Sequence, residues 1–351
     1  MSPGTAITST EFEVVELPLS EEFTIARGST ETAENVIVRL EDGAGRVGIG
    51  GAAPAEYYGE DVSSVEAVLP DLLSAAEGVG DPALTRHIER ELAETAPDSP
   101  SARAAVSIAV HDLVATQADE PLYRRFGLDP AQTPPTSYTV GIDSPAGMGQ
   151  RARRIREAGY PILKVKLGTD GDRERIDTIR KLAPQAYIRV DANGDWTPEE
   201  AIRKIDWLAN ANVQFVEQPV PGDDIEGLRR VAEESILPIA ADEACVTAED
   251  VSAVADAADI VVVKLMKCGG IGPARRQIAA ARAHDLDVML GCMIESSASI
   301  AAAAHLSPLV EDADLDGSLL LDSDPCDGVA MPDGKIELAG VERGTGVRKS
   351  A

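Results

Sequence analysis

The sequence predicts an α/β protein in which a small α+β domain precedes a (β/α)8-type barrel. In the first third of the chain, strand-like stretches come first and helix-like stretches follow, which is typical of an α+β arrangement. From about residue 136 onward, apolar runs alternate with helix-like stretches in a repeat of roughly 25 residues. Seven or eight such units in one run favour a barrel of parallel strands over an open sheet.

The first domain is predicted to be a meander of strands followed by helices. The stretches "FEVVELPL" and "ENVIVRLEDGAGRVGIGG" have the composition of strands, and the turn inside the second one predicts a hairpin. Helical stretches follow between residues 61 and 117. The last of them, "SARAAVSIAVHDLVATQ", is apolar almost all round, as expected of a helix packed on two sides. Residues 48–53, "GIGGAA", lack the spacing of a dinucleotide-binding loop, so we interpret them as a turn and strand end.

The predicted barrel strands are short aliphatic runs, each followed by a helix-like segment such as "TPEEAIRKIDWLANA". In chain order the runs are "TSYTVGI", "LKVKLG", "AYIRVDAN", "VQFVEQP", "LPIAADEA", "DIVVVKLM" and "DVMLGCM". The alternative is a Rossmann-like open sheet. That fold is disfavoured because no glycine-rich phosphate loop follows the first strand.

The charge of the chain limits its partners. With 32 Lys and Arg against 60 Asp and Glu, the formal net charge is -28, which argues against nucleic acid and anionic membranes as partners. Acidic residues are spread along the whole chain and lysine is scarce, which leads to the hypothesis of a halophilic protein adapted to a high-salt cytoplasm. The N-terminal stretch resembles no signal peptide and no apolar run is long enough to span a membrane, so we expect a cytoplasmic protein.

Cysteine and histidine offer no obvious site. Cys245, Cys268, Cys292 and Cys326 lack metal-type pairing, and free thiols are expected. The histidines at 87, 111, 284 and 305 are scattered in helix-like contexts, and none is expected to be catalytic.

Three carboxylates stand at the ends of consecutive predicted strands. Asp191, Glu217 and Asp242 are spaced by 26 and 25 residues, which is one βα unit each time. Because the C-terminal ends of barrel strands meet on one face, these acids should converge there. Converging acids repel unless they are protonated or bind a cation, and hard oxygen ligands suit Mg²⁺. The alternative for each acid alone is a helix N-cap, but three in register favour a metal site.

Lysines complete this pattern. Lys164 and Lys166 share one face of a strand, since side chains alternate along it, and Lys264 ends a strand on the opposite side of the predicted barrel. A lysine acts as a base only if its pKa falls, and a neighbouring ammonium lowers it. Mg²⁺ on a substrate carboxylate would stabilise the enediolate formed when the α-proton leaves. The alternative for the pair is a solvated strand face, which is disfavoured because the chain has only eight lysines.

The motifs "KVK", "VDAN", "VEQP", "ADE" and "VVVKLMKCGG", in this order, resemble the enolase superfamily, muconate lactonizing enzyme subgroup. The resemblance covers nearly the whole chain. It implies an α+β capping domain at residues 1–125 and a (β/α)7β TIM-like barrel at 126–325. The C-terminal tail, from about residue 326 to 351, is expected to pack back on the capping domain.

The resemblance also implies roles for single residues. Asp191, Glu217 and Asp242 would hold one Mg²⁺ per subunit. Lys166 and Lys264 would be the acid/base groups on opposite faces of the substrate, with Lys164 tuning Lys166 and contacting the substrate carboxylate. Lys267 is interpreted as either pointing outward or supporting the site from behind. Residues assigned to substrate binding from the strand ends are Asn193 and Glu295.

Within the superfamily, "DLDG" resembles the dipeptide epimerases, in which a D-x-D pair holds the substrate's α-ammonium group. Asp314 and Asp316 fit that position better than the second pair, Asp322 and Asp324. An acidic surface loop is the alternative. "FTIARGS" resembles the capping loop of these enzymes, which makes Arg27 a candidate for the far end of the substrate, and "APAEYYGED" would supply a second capping loop. Gly51 departs from the family, whose members usually carry Glu there.

The predicted function is therefore that of a Mg²⁺-dependent dipeptide epimerase, an isomerase that moves a proton at the α-carbon next to the substrate carboxylate. The alternatives within the family are an o-succinylbenzoate synthase, an N-succinylamino acid racemase and a muconate-type cycloisomerase. A non-catalytic barrel is the alternative outside it. The expected partner is a small molecule, a dipeptide or N-acyl amino acid, and a homo-oligomer is expected.

Overall fold

The computed structural model describes residues 4–350, whose strands form a three-stranded antiparallel sheet, an eight-stranded parallel sheet and a small two-stranded ribbon. No helix within these residues is long and apolar enough to cross a membrane. The two larger sheets correspond to the two parts that the sequence predicts, in the same chain order.

The N-terminal part is a meander covered by helices, as predicted. β1 and β2 form a long hairpin whose pairing runs from Ile7 opposite Asp42 to Ile25 opposite Gly28 at the tip. The elements of this part are β1 (Ile7–Ile25), β2 (Gly28–Asp42), β3 (Val47–Ala52), α1 (Val62–Val79), α2 (Thr85–Thr95), α3 (Pro100–Gln117) and α4 (Leu122–Arg125).

The glycines of "GIGGAA" lie within β3 and allow close packing of that strand. A Cβ at Gly48 would lie 2.1 Å from the carbonyl oxygen of Ala109, and one at Gly50 would lie 2.1 Å from that of Ala105. Both carbonyls belong to α3, so β3 can approach this helix only because its facing residues have no side chain. The segment therefore has a packing role. The strand predicted here is confirmed, but the turn is wrong, because residues 48–52 lie within β3.

The second part is the predicted (β/α)7β barrel. In the described chain, eight parallel strands are hydrogen-bonded in sequence order, and the first seven are followed by helices. The elements are β4 (Tyr138–Val140), α5 (Pro145–Glu157), β5 (Ile162–Lys166), α6 (Asp172–Leu182), β6 (Tyr187–Asp191), α7 (Pro198–Asn210), β7 (Val213–Glu217), α8 (Ile225–Glu234), β8 (Ile239–Ala241), α9 (Val251–Val254), β9 (Ile260–Val263), α10 (Leu265–Cys268), α11 (Ile271–Ala283), β10 (Asp287–Gly291), α12 (Ser297–Ala304) and β11 (Asp312–Asp314).

The barrel closes between its first and last strands. The Ser137 N–H, one residue before β4, donates to the Ala313 carbonyl in β11 at 3.0 Å, and Thr136 forms a parallel bridge with Ala313. Closure brings the C-terminal ends of all eight strands onto one rim, which is the condition for their terminal side chains to meet.

Helix α3 belongs to two hydrophobic cores, which explains its apolar circumference. One face, including Ala104 and Ile108, packs in the barrel core. The other face, including Val106 and Leu113, packs in the core beneath the meander. The helix thus lies between the two parts and buries residues on both sides.

The C-terminal segment runs back to α3 and α4. The Asp112 carboxylate in α3 accepts hydrogen bonds from the N–H and hydroxyl of Thr345, and the Leu122 N–H donates to the Gly344 carbonyl. Two short strands, β12 (Cys326–Asp327) and β13 (Arg348–Lys349), pair with each other in this region. The domain boundary at residues 125 and 126 stays a prediction.

Candidate active site

A cavity of about 740 Å³ lies at the C-terminal rim of the barrel, beneath the tip of the β1–β2 hairpin. The barrel contributes lysines, acids and a short apolar stretch to its wall, and the hairpin and the 55–58 segment close it from above. The residues that line it are Phe23, Ile25, Arg27, Gly28, Ser29, Thr30, Ala55, Glu56, Tyr57, Tyr58, Thr139, Lys164, Lys166, Asn193, Asp242, Glu243, Lys264, Cys292, Met293, Ile294, Asp314, Asp316, Gly317 and Leu320. Within residues 4–350, no histidine is on this wall.

The three strand-end acids lie at the ends of neighbouring strands, and in the described chain Asp242 is the one of them on the cavity wall. Asp191 and Glu217 are the last residues of β6 and β7 and stand opposite each other in the parallel register. Asp242 directly follows β8, the next strand around the barrel. All three are buried, so each negative charge is costly unless a cation compensates it.

Lys164 supplies much of that compensation. Its Nζ lies 3.1 Å from Asp191 Oδ2, 2.8 Å from Glu217 Oε2 and 2.8 Å from Asp314 Oδ2. Burial by itself would lower the pKa of this ammonium, but the surrounding carboxylates raise it well above its usual value. Lys164 is therefore a permanent positive charge in the centre of the acidic cluster.

Lys166 and Lys264 reach the cavity from opposite sides. Their strands, β5 and β9, are four positions apart in the ring of eight. Lys166 Nζ lies 2.7 Å from Asp191 Oδ2 and 3.2 Å from Asn193 Oδ1. Lys264 Nζ lies 2.7 Å from Asp242 Oδ2, and although burial opposes it, the Asp242 charge raises the pKa of Lys264. The structure thus places two amine groups across one cavity.

The carboxylates respond differently to this environment. Burial would raise the pKa of Asp191, but Lys166 and Lys164 hold it below its usual range. Asp242 behaves in the same way under the influence of Lys264 and Lys267. Burial and the adjacent charge of Asp191 instead raise the pKa of Glu217 to about 8. Glu217, on the middle strand of the three, is therefore the acid whose negative charge is least compensated by its surroundings.

The donor set suits a hard divalent cation. Among residues 4–350 as they stand, no three acidic, histidine or cysteine side chains converge closely enough to ligate one ion. A lysine ammonium group contacts each of the three carboxylates. Nevertheless, one cationic group, the Lys164 ammonium, already contacts both Asp191 and Glu217. Carboxylate oxygens are hard ligands, which suit Mg²⁺ better than a soft metal.

The first D-x-D pair lies on the cavity wall. Asp314 accepts a hydrogen bond from the Ser137 hydroxyl in addition to its contact with Lys164, and Asp316 accepts one from the Thr139 N–H at 2.6 Å. Burial and the charge of Asp314 raise the pKa of Asp316 to about 7.

The second D-x-D pair is elsewhere. Asp324 accepts from the N–H groups of Ser297 and Cys326, and among the described residues neither Asp322 nor Asp324 is on the cavity wall. The fold therefore presents only the first pair to a ligand in this cavity.

Arg27 joins the hairpin to the barrel. Its guanidinium donates to Glu243 Oε1 at 2.7 Å and to the Asn193 carbonyl at 3.1 Å, and it lies 4.3 Å from the centre of the Tyr57 ring. These contacts hold the hairpin tip over the end of the cavity. Gly51 lies away from this contact, with α12 so close that a Cβ would be 3.3 Å from the Ala298 Cβ.

Two predicted positions differ from what the sequence suggested. Lys267 does not point outward; it is buried behind Asp242, so the first of its two interpretations is wrong. Glu295 is also buried, but its carboxylate accepts from the Met293 N–H and the Ser299 hydroxyl. Within the described chain it is not part of the cavity wall, and its role in substrate binding stays a prediction.

One residue of the site was missed. Gln218 is fully buried, and its Oε1 accepts from the N–H groups of Asp242 and Ala244 at 3.0 and 3.1 Å. It therefore fixes the loop that carries one of the three acids. The available signal was its position in "VEQP", where a polar residue directly follows a buried strand.

The site and fold define a class of proteins that comparison with known sequences identifies. Residues 8–127 match the mandelate racemase / muconate lactonizing enzyme N-terminal domain, and residues 147–348 match the enolase C-terminal domain-like family. The chain therefore belongs to the mandelate racemase / muconate lactonizing enzyme family of the enolase superfamily, as its motifs indicated.

Individual relatives are similar over nearly their whole length. The chain is 39% identical to the L-Ala-D/L-Glu epimerase of Bacteroides thetaiotaomicron over 95% of this chain and 86% of that protein. It superimposes with a TM-score of 0.92 on the dipeptide epimerase from Enterococcus faecalis V583 complexed with Mg and L-Leu-L-Tyr, at 33% identity over 97% of this chain and 99% of the other. It superimposes with a TM-score of 0.89 on the dipeptide epimerase from Methylococcus capsulatus complexed with Mg and L-Arg-D-Lys, at 35% identity over the same shares.

Proposed function

We propose that the protein is a Mg²⁺-dependent dipeptide epimerase that inverts the α-carbon of the C-terminal residue. The observation that carries this proposal is the placement of Lys166 and Lys264 on opposite strands of one cavity, with Asp191, Glu217 and Asp242 on the three strand ends between them. Inversion requires a proton to leave one face of a carbon and another to arrive on the other face, and two opposed amines provide both.

Asp191, Glu217 and Asp242 would hold the Mg²⁺. The ion, when bound, would stabilise negative charge on the substrate carboxylate and so acidify the α-carbon. The lysine contacts to these acids would then be rearranged, since the same oxygens serve both.

Lys166 and Lys264 would exchange roles according to the epimer bound. The lysine facing the α-hydrogen accepts it as a neutral amine, and the opposite ammonium donates a proton to the other face. Lys164 would assist the proton transfer as a fixed positive charge, because the carboxylates around it raise its pKa. Both Lys164 and Lys166 contact Asp191 Oδ2, at 3.1 and 2.7 Å, so their charges repel each other, and Lys166 is the more accessible of the two.

Asp314 and Asp316 would bind the α-ammonium group of a dipeptide. Asp314 ends β11 and Asp316 follows it, and Lys164 lies between this pair and the metal ligands. The α-ammonium end of the substrate would therefore meet the two aspartates, and the carboxylate end would meet the metal. Substrates of succinylamino acid racemases and of o-succinylbenzoate synthases carry no free ammonium group there. In such a complex Asp314 would keep Lys164 as its only cationic partner, and Asp316 would keep only its hydrogen bond from the Thr139 N–H. The dipeptide is therefore favoured over these alternatives.

Hydrogen exchange tests the proposal. Incubation of L,L-dipeptides in D₂O with Mg²⁺ at high salt should incorporate one deuterium at the α-carbon of the C-terminal residue and produce the L,D epimer, as followed by NMR and mass spectrometry. N-succinylated amino acids serve as the comparison. Absence of exchange from every dipeptide in a broad library, with exchange from a succinylated substrate, would assign the protein to the alternative activity.

We further propose a cytoplasmic homo-oligomer with one Mg²⁺ per subunit. Light scattering coupled to size-exclusion chromatography measures the number of subunits, and metal analysis of the same peak gives the stoichiometry.

A further inference from the structure

The least expected side chain of the barrel is Lys267, a lysine with no solvent exposure at all. It sits on the short helix α10, three residues after Lys264, and it is one of the largest fully buried side chains in the described chain. Burying an ammonium group is costly unless hydrogen bonds and an opposite charge compensate it. The location of those compensating groups therefore indicates what the residue does.

The groups that compensate the Lys267 ammonium are oxygen atoms of Asp242, of the loop that follows it and of the neighbouring strand β9. Lys267 Nζ lies 2.6 Å from Asp242 Oδ1 and 2.7 Å from the Asp242 backbone carbonyl oxygen. It also donates to the carbonyls of Cys245 and Val262, at 3.1 and 2.9 Å. Val262 belongs to β9 and the other two residues to the loop after β8, so a single ammonium fixes the loop, the Asp242 backbone and one carboxylate oxygen against the neighbouring strand.

Each oxygen of the Asp242 carboxylate contacts a different lysine. Lys264, which lines the cavity, contacts Oδ2, and Lys267, which is outside it, contacts Oδ1. Lys267 holds Oδ1 and the Asp242 backbone carbonyl, which restrains rotation of the carboxylate, while Oδ2 contacts the cavity-lining Lys264. A group that fixes a ligand in this way raises the affinity of the site for its metal without touching the metal.

We infer that Lys267 is a positioning residue that presents Asp242 to the metal through Oδ2 only. The inference rests on the proposed function, in which Asp242 is a Mg²⁺ ligand. Lys267 stays on Oδ1 whether or not the ion is bound, while Oδ2 is shared between the ion and Lys264. The acid/base lysine and the metal site are thereby coupled through one carboxylate.

Calorimetric titration with Mg²⁺ tests the inference without relying on activity. Lys267→Met should weaken Mg²⁺ binding by about 10- to 100-fold, and the Mg²⁺-induced rise in melting temperature should shrink accordingly. The matched control is Arg180→Met, which removes another cation that holds backbone carbonyls, those of Ala186, Ala211 and Asn212, and that contacts no predicted metal ligand. That variant should lose stability but keep the Mg²⁺ affinity of the wild type.

The outcomes separate the inference from the proposed function. If the wild type binds no Mg²⁺, both are overturned; if it binds and Lys267→Met binds equally well, only the positioning role is overturned. Lys267→Gln, which keeps a hydrogen-bond donor, should restore part of the affinity. Should neither variant fold, the wild-type crystal structure with Mg²⁺ decides: Oδ2 on the ion and Oδ1 on Lys267 support the inference, whereas both oxygens on the ion, or a displaced Lys267, overturn it.

Discussion

Lys164 and Asp314 are 150 residues apart in the sequence, yet Lys164 Nζ donates to Asp314 Oδ2 at 2.8 Å. The same ammonium contacts Asp191 and Glu217, so it separates the predicted metal ligands from the predicted ammonium site. In the proposed complex the carboxylate and the α-ammonium of the dipeptide would lie on either side of this lysine. The cavity is thus arranged for a molecule with opposite charges at its two ends.

Asp314→Asn should lower kcat/KM for a dipeptide by about 10- to 100-fold, because a hydrogen bond to a charged group contributes about 1.5–3 kcal/mol. The matched control is Asp322→Asn, which removes the same charge from the second D-x-D pair, away from the cavity wall in the described chain. Steady-state epimerisation rates check both variants. Equal losses in the two would contradict the assignment of the ammonium site to the first pair.

Lys166→Ala and Lys264→Ala should each reduce epimerisation by at least about 10²-fold, the usual contribution of a positioned acid or base. Since each lysine serves one face, each variant should still exchange the α-hydrogen of one epimer and not of the other. Deuterium incorporation into separate L,L and L,D substrates measures this. Lys335→Ala, at a side chain that is 78% exposed, is the control. Loss of exchange from both epimers in both variants would argue against a two-base arrangement.

His305 should make the protein less stable in mild acid. Its Nδ1 accepts from the Tyr123 N–H at 3.0 Å, so Nε2 carries the proton that faces the Thr345 carbonyl at 3.1 Å. Burial lowers the pKa of His305 to about 4, below the unfolded value of about 6.5. The unfolded chain therefore binds the extra proton first, and about 3 kcal/mol of stability that is present above pH 6.5 is lost as the pH falls toward 4.

Urea unfolding at a series of pH values checks this, with His305→Gln as the comparison. Glutamine can accept and donate a hydrogen bond but does not titrate, so the difference in stability between the two proteins should shrink or reverse between pH 6.5 and 4. A constant difference across that range would show that His305 does not titrate there.

Salt should stabilise the fold if the net charge of -28 reflects adaptation to a saline cytoplasm. The screening length falls from about 10 Å at 0.1 M to about 3 Å at 1 M salt, so repulsion among surface carboxylates should decrease. We expect the melting temperature to rise steadily between 0.1 M and 2 M KCl. An unchanged or falling melting temperature would leave the halophile hypothesis without support.

The sequence by itself determined the architecture and the location of the site. Aliphatic runs at a period of one βα unit specify a barrel, and closure of such a barrel must bring the residues after each run to one rim. Asp191, Glu217 and Asp242 could therefore be grouped from spacing alone, and Lys166 and Lys264 could be placed on opposite sides by counting strands.

Only the tertiary structure decided which groups touch. The directions of side chains in loops and short helices follow no period, so the sequence left open whether Lys267 points outward, and it did not distinguish Asp314 from Asp322 by geometry or separate Glu295 from the cavity. Contacts such as Lys164 with Asp314 and Arg27 with Glu243 join residues 150 and 216 positions apart. They depend on barrel closure and on the hairpin folding over the rim, and no local pattern encodes either one.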